Sequence, residues 1–267
     1  MTTLGIMQGR LSPVSPEGPQ SFPWTSWEAE FDRAAACGFD TIEWLFEYRG
    51  HERNPLASVE GRRAMARHSG EAGVAVRTAC AHCILQAPPF GVEAAGLLEH
   101  LIGFAAEAGI AVIVVPLLEG LSMVPAGRMD EAATLLGPAL LRARRQGIRL
   151  ALETDLDAAA CLALLDRLDS PAAGLCYDSG NATAFGHDIV AEFTRLLPHV
   201  TEVHVKDRFR GGASTLLGEA DTDLDGFFGA VRQGKWSGPV VLETPAGSDP
   251  QGNGLRHAAL VRRYLGA

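Results

Sequence analysis

The chain has 267 residues, of which 47% are hydrophobic and 21% are charged, and its formal net charge is −9. This length suits one large α/β barrel or two smaller domains, and it allows a core to be buried without disulfides or metals. The negative charge argues against nucleic acid as a partner, because proteins that bind nucleic acid present a basic surface. The chain shows no secretory leader and no apolar run of membrane-spanning length, and its five scattered cysteines favour reduced thiols. We therefore expect a cytoplasmic protein with no membrane partner.

Short apolar runs rich in strand-forming residues recur along the chain, each followed by polar residues and then by a segment with helical spacing. The predicted strands begin near residues 4, 41, 74, 111, 148, 173, 201 and 239. Eight such units predict parallel strands joined by crossover helices, and their number favours a closed (β/α)8 TIM barrel over an open doubly wound sheet. No dinucleotide-binding glycine motif, P-loop or linker interrupts the pattern, so we expect residues 1–267 to form a single domain.

The last four predicted strands each end in a side chain that can bind a metal: Glu153, Asp178, His204 and Glu243. In a TIM barrel the active site forms at the carboxyl ends of the strands, and the alternation of side chains places these four on inward-facing positions. Three carboxylates and one imidazole suit Mn²⁺, Mg²⁺ or Co²⁺ better than a thiolate-bound metal. Without a cation, three carboxylates so close together would repel one another. The alternative for any one of these residues is an ordinary solvated position at a strand end.

The same residues suit a particular kind of chemistry. Isomerising or epimerising an α-hydroxyketone removes a proton from the carbon beside a carbonyl and leaves an enediolate. A divalent ion stabilises that charge, and two carboxylates on opposite faces of the substrate remove and return the proton. The sequence leaves open whether the proton returns to the same carbon or to its neighbour.

Several motifs carry a resemblance to a known family. The strand ends ALETD, CYDSGN, EVHVKDR and VLETP, the opening GIMQGRLSP and the segment GFDTIEW resemble sugar isomerase/epimerase proteins of the xylose isomerase-like TIM barrel superfamily. The resemblance implies that Glu153 and Glu243 bind the metal and act as the catalytic pair, with Asp178 and His204 completing the metal site. It implies one divalent ion, with Mn²⁺ the first choice, and a sugar, sugar phosphate or sugar acid as substrate.

Further polar residues near the strand ends are predicted to contact the substrate: Gln8, Arg10, Glu43, His82, Asn181, Lys206 and Arg208. Arg10, Lys206 and Arg208 would together receive a phosphate or carboxylate. For Glu43, an ion pair with a neighbouring basic group is the alternative, and for Lys206 the alternative partners are Glu202 or Asp207.

Two positions depart from the pattern of the related epimerases. Asn181 stands where many of them carry a substrate-contacting histidine, and an amide cannot shuttle a proton. In the loop after the seventh strand, Gly218 is kept, but Ala220 replaces a second glycine.

Other functions for the same fold stay open. The metal site would also serve a dehydratase of the inosose type, in which proton removal is followed by loss of a hydroxyl group. A barrel that binds a metabolite without catalysis is the second alternative. A homo-oligomer is compatible with the sequence, although no interface signal predicts one.

Overall fold

The computed structural model describes residues 2–14, 18 and 20–266, and within them eight parallel strands close into a barrel. The strand β1 pairs with both its sequence neighbour and the last strand, which completes the ring. The predicted (β/α)8 barrel is therefore confirmed. Two further strands, β8 and β9, form a short antiparallel hairpin above the barrel strand β7. In chain order the strands are β1 (Thr3–Met7), β2 (Thr41–Leu45), β3 (Ala75–Cys80), β4 (Val112–Leu117), β5 (Arg149–Thr154), β6 (Ala173–Asp178), β7 (Val200–Val205), β8 (Asp207–Arg208), β9 (Ser214–Thr215) and β10 (Pro239–Leu242).

The helices surround the barrel and have sequence-encoded ends. Asp157, Asp188 and Asp223 each accept a hydrogen bond from a backbone N–H of the helix that follows, and so cap its first turn. The described α-helices are α1 (Ala29–Cys37), α2 (Val59–Ala72), α3 (Cys83–Gln86), α4 (Val92–Ala108), α5 (Arg128–Gln146), α6 (Ala158–Leu168), α7 (Ser179–Phe185), α8 (Ile189–Leu196), α9 (Leu224–Gln233) and α10 (Pro250–Leu265). None of the helices in these residues is both long and apolar enough to cross a membrane.

The predicted strand starts agree with the observed ones to within one residue, because each strand is an apolar run that differs clearly from its polar flanks. Three helices were not predicted, and the shortest of them is α3, a single turn over Cys83–Gln86. Helix α7 has no apolar periodicity, but it begins at the Asp178 carboxylate, which accepts a hydrogen bond from the Asn181 N–H at 2.7 Å. Helix α10 contains two early glycines that weaken a helical pattern, and an Asp249 cap with Pro250 in the first turn compensates for them.

The barrel interior and its outer layer are packed differently. Small side chains such as Val114, Ala151 and Cys176 form the cluster inside the barrel. Larger ones pack outside it, where Trp44 of β2 contacts Phe31 of α1 with 6.4 Å between ring centroids. Small residues inside leave space at the carboxyl end of the barrel for longer polar side chains. The candidate site lies at that end.

Candidate active site and metal centre

The four predicted metal ligands converge at the carboxyl end of the barrel. One ligand atom from each of Glu153, Asp178, His204 and Glu243 lies within 4.8 Å of the others, and all four residues are buried. Asp178 has a double role, because its Oδ1 caps helix α7 while its Oδ2 faces the cluster. The structure thus brings together the four residues that were predicted from the strand ends. Their binding of an ion stays a prediction.

The ammonium group of Lys206 extends into this carboxylate cluster. Its Nζ lies 2.8 Å from Glu243 Oε2, 3.0 Å from Asp178 Oδ2 and 3.6 Å from Glu153 Oε1. Burial alone would lower the pKa of Lys206, but the three carboxylates hold that pKa well above its usual range. Lys206 therefore stays charged and reduces the repulsion among the acids. These partners differ from Glu202 and Asp207, the two that the sequence suggested.

The two predicted catalytic glutamates have opposite pKa shifts. Burial raises the pKa of Glu153 to about 7, although Lys206 opposes the shift. For Glu243, burial acts in the same direction, but Lys206, His204 and Arg10 outweigh it and hold the pKa well below its usual range. A pair of carboxyl groups with different proton affinities is suited to general acid and base roles.

A hydrogen-bonded chain fixes the orientation of the Glu153 carboxylate. Asn181 Nδ2 donates to Glu153 Oε1 at 2.7 Å, and Arg208 Nη1 donates to Asn181 Oδ1 at 2.7 Å. Arg208 itself is held by two hydrogen bonds to the carbonyl oxygen of Gly212, at 3.1 and 2.8 Å. Both side chains were predicted to contact substrate, and both line the cavity described below. In this structure they also form a clamp on Glu153.

Arg10 connects the first strand to the last one. Its Nη2 lies 3.2 Å from Glu243 Oε1 and donates to Gln20 Oε1 at 2.9 Å. Arg10 reaches Glu243 because β1 pairs with β10. The preceding turn depends on Gly9, which has φ +87° and whose N–H donates to the Glu30 carboxylate at 2.9 Å. Glycine adopts this left-handed conformation without a steric penalty.

Two buried carboxyl groups, Glu43 and Glu202, lie next to His204 of the metal cluster. Glu43 Oε1 is 3.1 Å from Nε2 of His204, while Nδ1 of the same ring is 3.2 Å from Glu243 Oε2. Glu43 therefore takes the ion-pair alternative and is absent from the described cavity walls. Burial, together with the nearby charge of Glu43, raises the pKa of Glu202 well above its usual range. Glu202 was not predicted as part of the site, because its position two residues before His204 carries no signal beyond a shared face.

Gln8 and His82 differ in their access to the site. Gln8 is buried, its Oε1 accepts a hydrogen bond from the Leu45 N–H at 3.1 Å, and it does not line the described cavity. His82 does line it, and burial lowers the pKa of the imidazole although Glu243 opposes the shift. His82 is thus a neutral side chain at the cavity wall, and its contact with a substrate stays a prediction.

Asp207 anchors the loop that carries the second departure from the related epimerases. Its carboxylate accepts hydrogen bonds from the N–H groups of Gly218, Glu219, Ala220 and Thr222, at 2.8 to 3.1 Å. The alanine at position 220 keeps the backbone donor that this arrangement needs. The missing glycine therefore does not disrupt the loop.

A cavity of about 620 Å³ opens above the cluster. This is within the range of small-molecule sites, which occupy about 300–1,000 Å³. Several of its wall residues were not predicted. Glu119 and Asp155 closely follow strand ends and could have been found by that signal, whereas Gln20 and Ser214 lie in loops that carry none. The lining residues are Arg10, Gln20, Cys80, His82, Leu85, Pro116, Leu118, Glu119, Glu153, Asp155, Asn181, Phe185, Lys206, Arg208, Ser214, Glu243 and Pro245.

Comparisons with known proteins agree with this arrangement. The family described as xylose isomerase-like TIM barrel matches residues 31–264. The chain is 29% identical over 222 residues to a 2-epi-5-epi-valiolone 7-phosphate 2-epimerase from an Actinoplanes species, covering 80% of this chain and 76% of that protein. It is 27% identical over 235 residues to the L-ribulose-5-phosphate 3-epimerase UlaE of Salmonella paratyphi C, covering 81% of each. A xylose isomerase-like TIM barrel protein from Mycobacterium smegmatis, solved in complex with magnesium, superposes with a TM-score of 0.73 at 18% identity, covering 98% of this chain and 96% of that one.

Proposed function

The chain belongs to the xylose isomerase-like TIM barrel family, and we propose that it is a divalent-metal-dependent isomerase or 3-epimerase of a sugar or sugar derivative. The observation that carries this proposal is the convergence of three carboxylates and one imidazole, with ligand atoms within 4.8 Å of one another, beside an open cavity. The relatives named above support it, because both are epimerases of phosphorylated sugars or sugar-like molecules.

The donor set fits a hard divalent ion. Glu153, Asp178 and Glu243 supply oxygen ligands and His204 supplies one nitrogen, a combination that suits Mn²⁺ first and Mg²⁺ or Co²⁺ as alternatives. Asp178 Oδ2 is buried and faces the cluster, where Lys206 Nζ lies 3.0 Å and His204 Nδ1 4.0 Å from it. The magnesium in the solved structure from Mycobacterium smegmatis supports a divalent ion in this fold.

The residues at the site have separate roles in the proposed reaction. A bound divalent ion would stabilise the negative charge that develops on the substrate oxygens as the enediolate forms. Of Glu153 and Glu243, one carboxylate accepts the proton from the carbon beside the carbonyl and the other carboxyl group returns a proton, and the two roles exchange in the reverse direction. The clamp from Asn181 holds one oxygen of Glu153 and leaves the other for the substrate.

The surroundings of the pair have supporting roles. Arg10 holds Glu243 from the side of β1, and Glu43 holds the ring nitrogen of His204 that points away from Glu243. Such contacts fix the orientation of groups that must meet a substrate, which is how a site avoids reorganising during the reaction. We also propose a cytoplasmic location, which the five buried, unpaired cysteines support.

The first test is the metal content of the purified protein, measured by mass spectrometry after mild dialysis against buffer containing Mn²⁺, Mg²⁺ or Co²⁺. We expect about one ion per chain for the wild type and for a control variant, Glu60→Gln, whose side chain is exposed on α2. The Glu243→Gln variant should lose or weaken binding. A wild type that binds none of these ions would contradict the proposal and favour a metabolite-binding barrel.

The second test follows the proton. Metal-loaded protein is incubated with ketoses and ketose phosphates in deuterated water, and deuterium beside the carbonyl is detected by NMR. The Glu153→Gln variant should fold normally and exchange at least 100-fold more slowly, because removing a general acid or base costs about 10²–10⁴ in rate. A product that absorbs in the ultraviolet would instead indicate the dehydratase alternative.

A further inference from the structure

A second cavity lies next to the catalytic one and shares two of its walls. It measures about 550 Å³, and Gln20 and His82 line both cavities. Its remaining described walls include Ser21, Glu47, Arg49 and Gln86. Each cavity alone has the volume of a small-molecule site. The two adjoining cavities, together called the groove, therefore offer more volume than one small molecule needs.

The side chains of the second cavity are matched to hydroxyl groups. Arg49 supplies donors only. The Glu47 carboxylate supplies acceptors only, and its Oε2 already accepts the N–H of Phe22 at 2.8 Å. The amide of Gln86 offers both, and its Oε1 already accepts the N–H of Tyr48 at 2.8 Å. A hydroxyl group both donates and accepts, so a polyol finds partners for each of its groups in such a mixture. A phosphate accepts only, and beside Arg49 it would also meet the carboxylate of Glu47.

The cations of the catalytic cavity already have partners within the protein. Lys206 contacts three carboxylates, Arg10 contacts Glu243 and Gln20, and Arg208 contacts Gly212 and Asn181. The walls of this cavity also carry four carboxyl groups, which disfavour a phosphate when they are ionised: Glu119, Glu153, Asp155 and Glu243.

We propose that the groove binds an uncharged ketose that carries a second sugar-sized group, with the ketose at the metal cluster and the second group beside Arg49, Glu47 and Gln86. This inference rests on the proposed function, since that function places the reacting ketose at the cluster. It assigns the second cavity as a subsite for a glycosyl or similar polyol group. Of the cations predicted to receive a phosphate, Lys206 and Arg10 contact carboxylates of the site instead. Arg208 contacts Asn181 and the carbonyl oxygen of Gly212.

The shared residue Gln20 connects the subsite to the catalytic pair. Its Oε1 accepts a hydrogen bond from Arg10 Nη2, and the same Nη2 lies 3.2 Å from Glu243 Oε1. A group bound in the second cavity therefore contacts a side chain that helps to hold the guanidinium on Glu243. Binding energy from the remote part of the substrate can in this way improve the geometry at the reacting carbon.

The test compares three ligands that share one ketose: D-fructose, D-fructose 6-phosphate and isomaltulose, which is fructose with a glucosyl group on its O6. Binding to the metal-loaded protein is measured by calorimetry, and deuterium exchange is measured in parallel. We expect isomaltulose to bind about tenfold more tightly than fructose and fructose 6-phosphate to bind no more tightly than fructose.

The exposed Arg49 is then changed to Gln, which should weaken the binding of isomaltulose about tenfold, so that it binds no more tightly than fructose. Arg145→Gln, at an exposed position of α5, is the matched control and should not change this order.

The outcomes separate the inference from the proposed function. If fructose exchanges but isomaltulose binds no better and does not depend on Arg49, the subsite is wrong and the function stands. If fructose 6-phosphate binds best and Arg49→Gln weakens it, the subsite takes phosphate and the inference is overturned. If isomaltulose binds in an Arg49-dependent way but no ligand exchanges, the subsite stands and the proposed function fails. If none of the three binds, the subsite is also refuted.

Discussion

The Glu30→Gln substitution should remove a specific pH dependence from the stability of this protein. Glu30 lies on helix α1 with only 1% of its surface exposed, and its carboxylate accepts the N–H of Gly9 through both oxygens, at 3.1 and 2.9 Å. Burial raises the pKa of Glu30 from 4.5 to about 7, although the hydrogen bond from Gly9 opposes the shift. The folded protein therefore keeps a proton on Glu30 at pH values where the unfolded chain has lost it.

The sign and size of the effect follow from this difference. Between pH 4.5 and about 7 the unfolded state releases a proton that the folded state retains, so stability falls as the pH rises. Each unit of pKa difference corresponds to about 1.4 kcal/mol, which gives a loss of about 3 kcal/mol by pH 7 and above. Below pH 4.5 both states are protonated and Glu30 makes no pH-dependent contribution. Glutamine imitates the protonated carboxyl group and does not titrate.

The assay is urea unfolding at pH 5 and pH 8 in the presence of a chelator, for the wild type, for Glu30→Gln and for the exposed control Glu60→Gln. Glu153, whose pKa is also raised to about 7, contributes to the pH trend of all three proteins and cancels in their comparison. Between pH 5 and pH 8 the free energy of unfolding of the wild type should fall by about 2.5 kcal/mol more than that of Glu30→Gln, because part of the loss has already occurred at pH 5. Equal declines in the wild type and in Glu30→Gln would refute the reasoning.

Three other changes have defined consequences. Asn181→Ala removes the 2.7 Å hydrogen bond to Glu153 and should lower the exchange rate at least tenfold with unchanged metal content; an unchanged rate would show that the clamp has no role. At 100 times its dissociation constant, Mn²⁺ should raise the free energy of unfolding of the wild type by about 3 kcal/mol. This stabilisation is measured as a rise in Tm, and the rise should be clearly smaller for Glu243→Gln. Gly9→Ala places a Cβ 2.9 Å from the carbonyl oxygen of Ser21 at φ +87° and should cost about 1–3 kcal/mol in urea unfolding; a smaller loss would mean that the turn relaxes.

The sequence by itself determined the barrel and the four residues at its carboxyl end. Strand positions follow from local apolar runs, which need no knowledge of distant residues. The inward direction of Glu153, Asp178, His204 and Glu243 follows from the twofold alternation of a strand, and parallel strands place their carboxyl ends on one side. These features depend on the local geometry of each strand and on the strand order that follows from the repeated β–α units.

Only the tertiary structure decided which of the other polar residues share a partner. Lys206, Arg208 and Arg10 looked like one anion site. In the folded protein Lys206 and Arg10 share Glu243 as a partner, whereas Arg208 donates to Asn181 and to the carbonyl oxygen of Gly212. Long side chains have several rotamers, and the choice among them depends on charges brought near by folding. The contacts of Arg10 with Glu243 and of Asn181 with Glu153 join residues 233 and 28 positions apart. The pKa shifts and the second cavity depend on such contacts, because burial and neighbouring charge exist only once the barrel has closed.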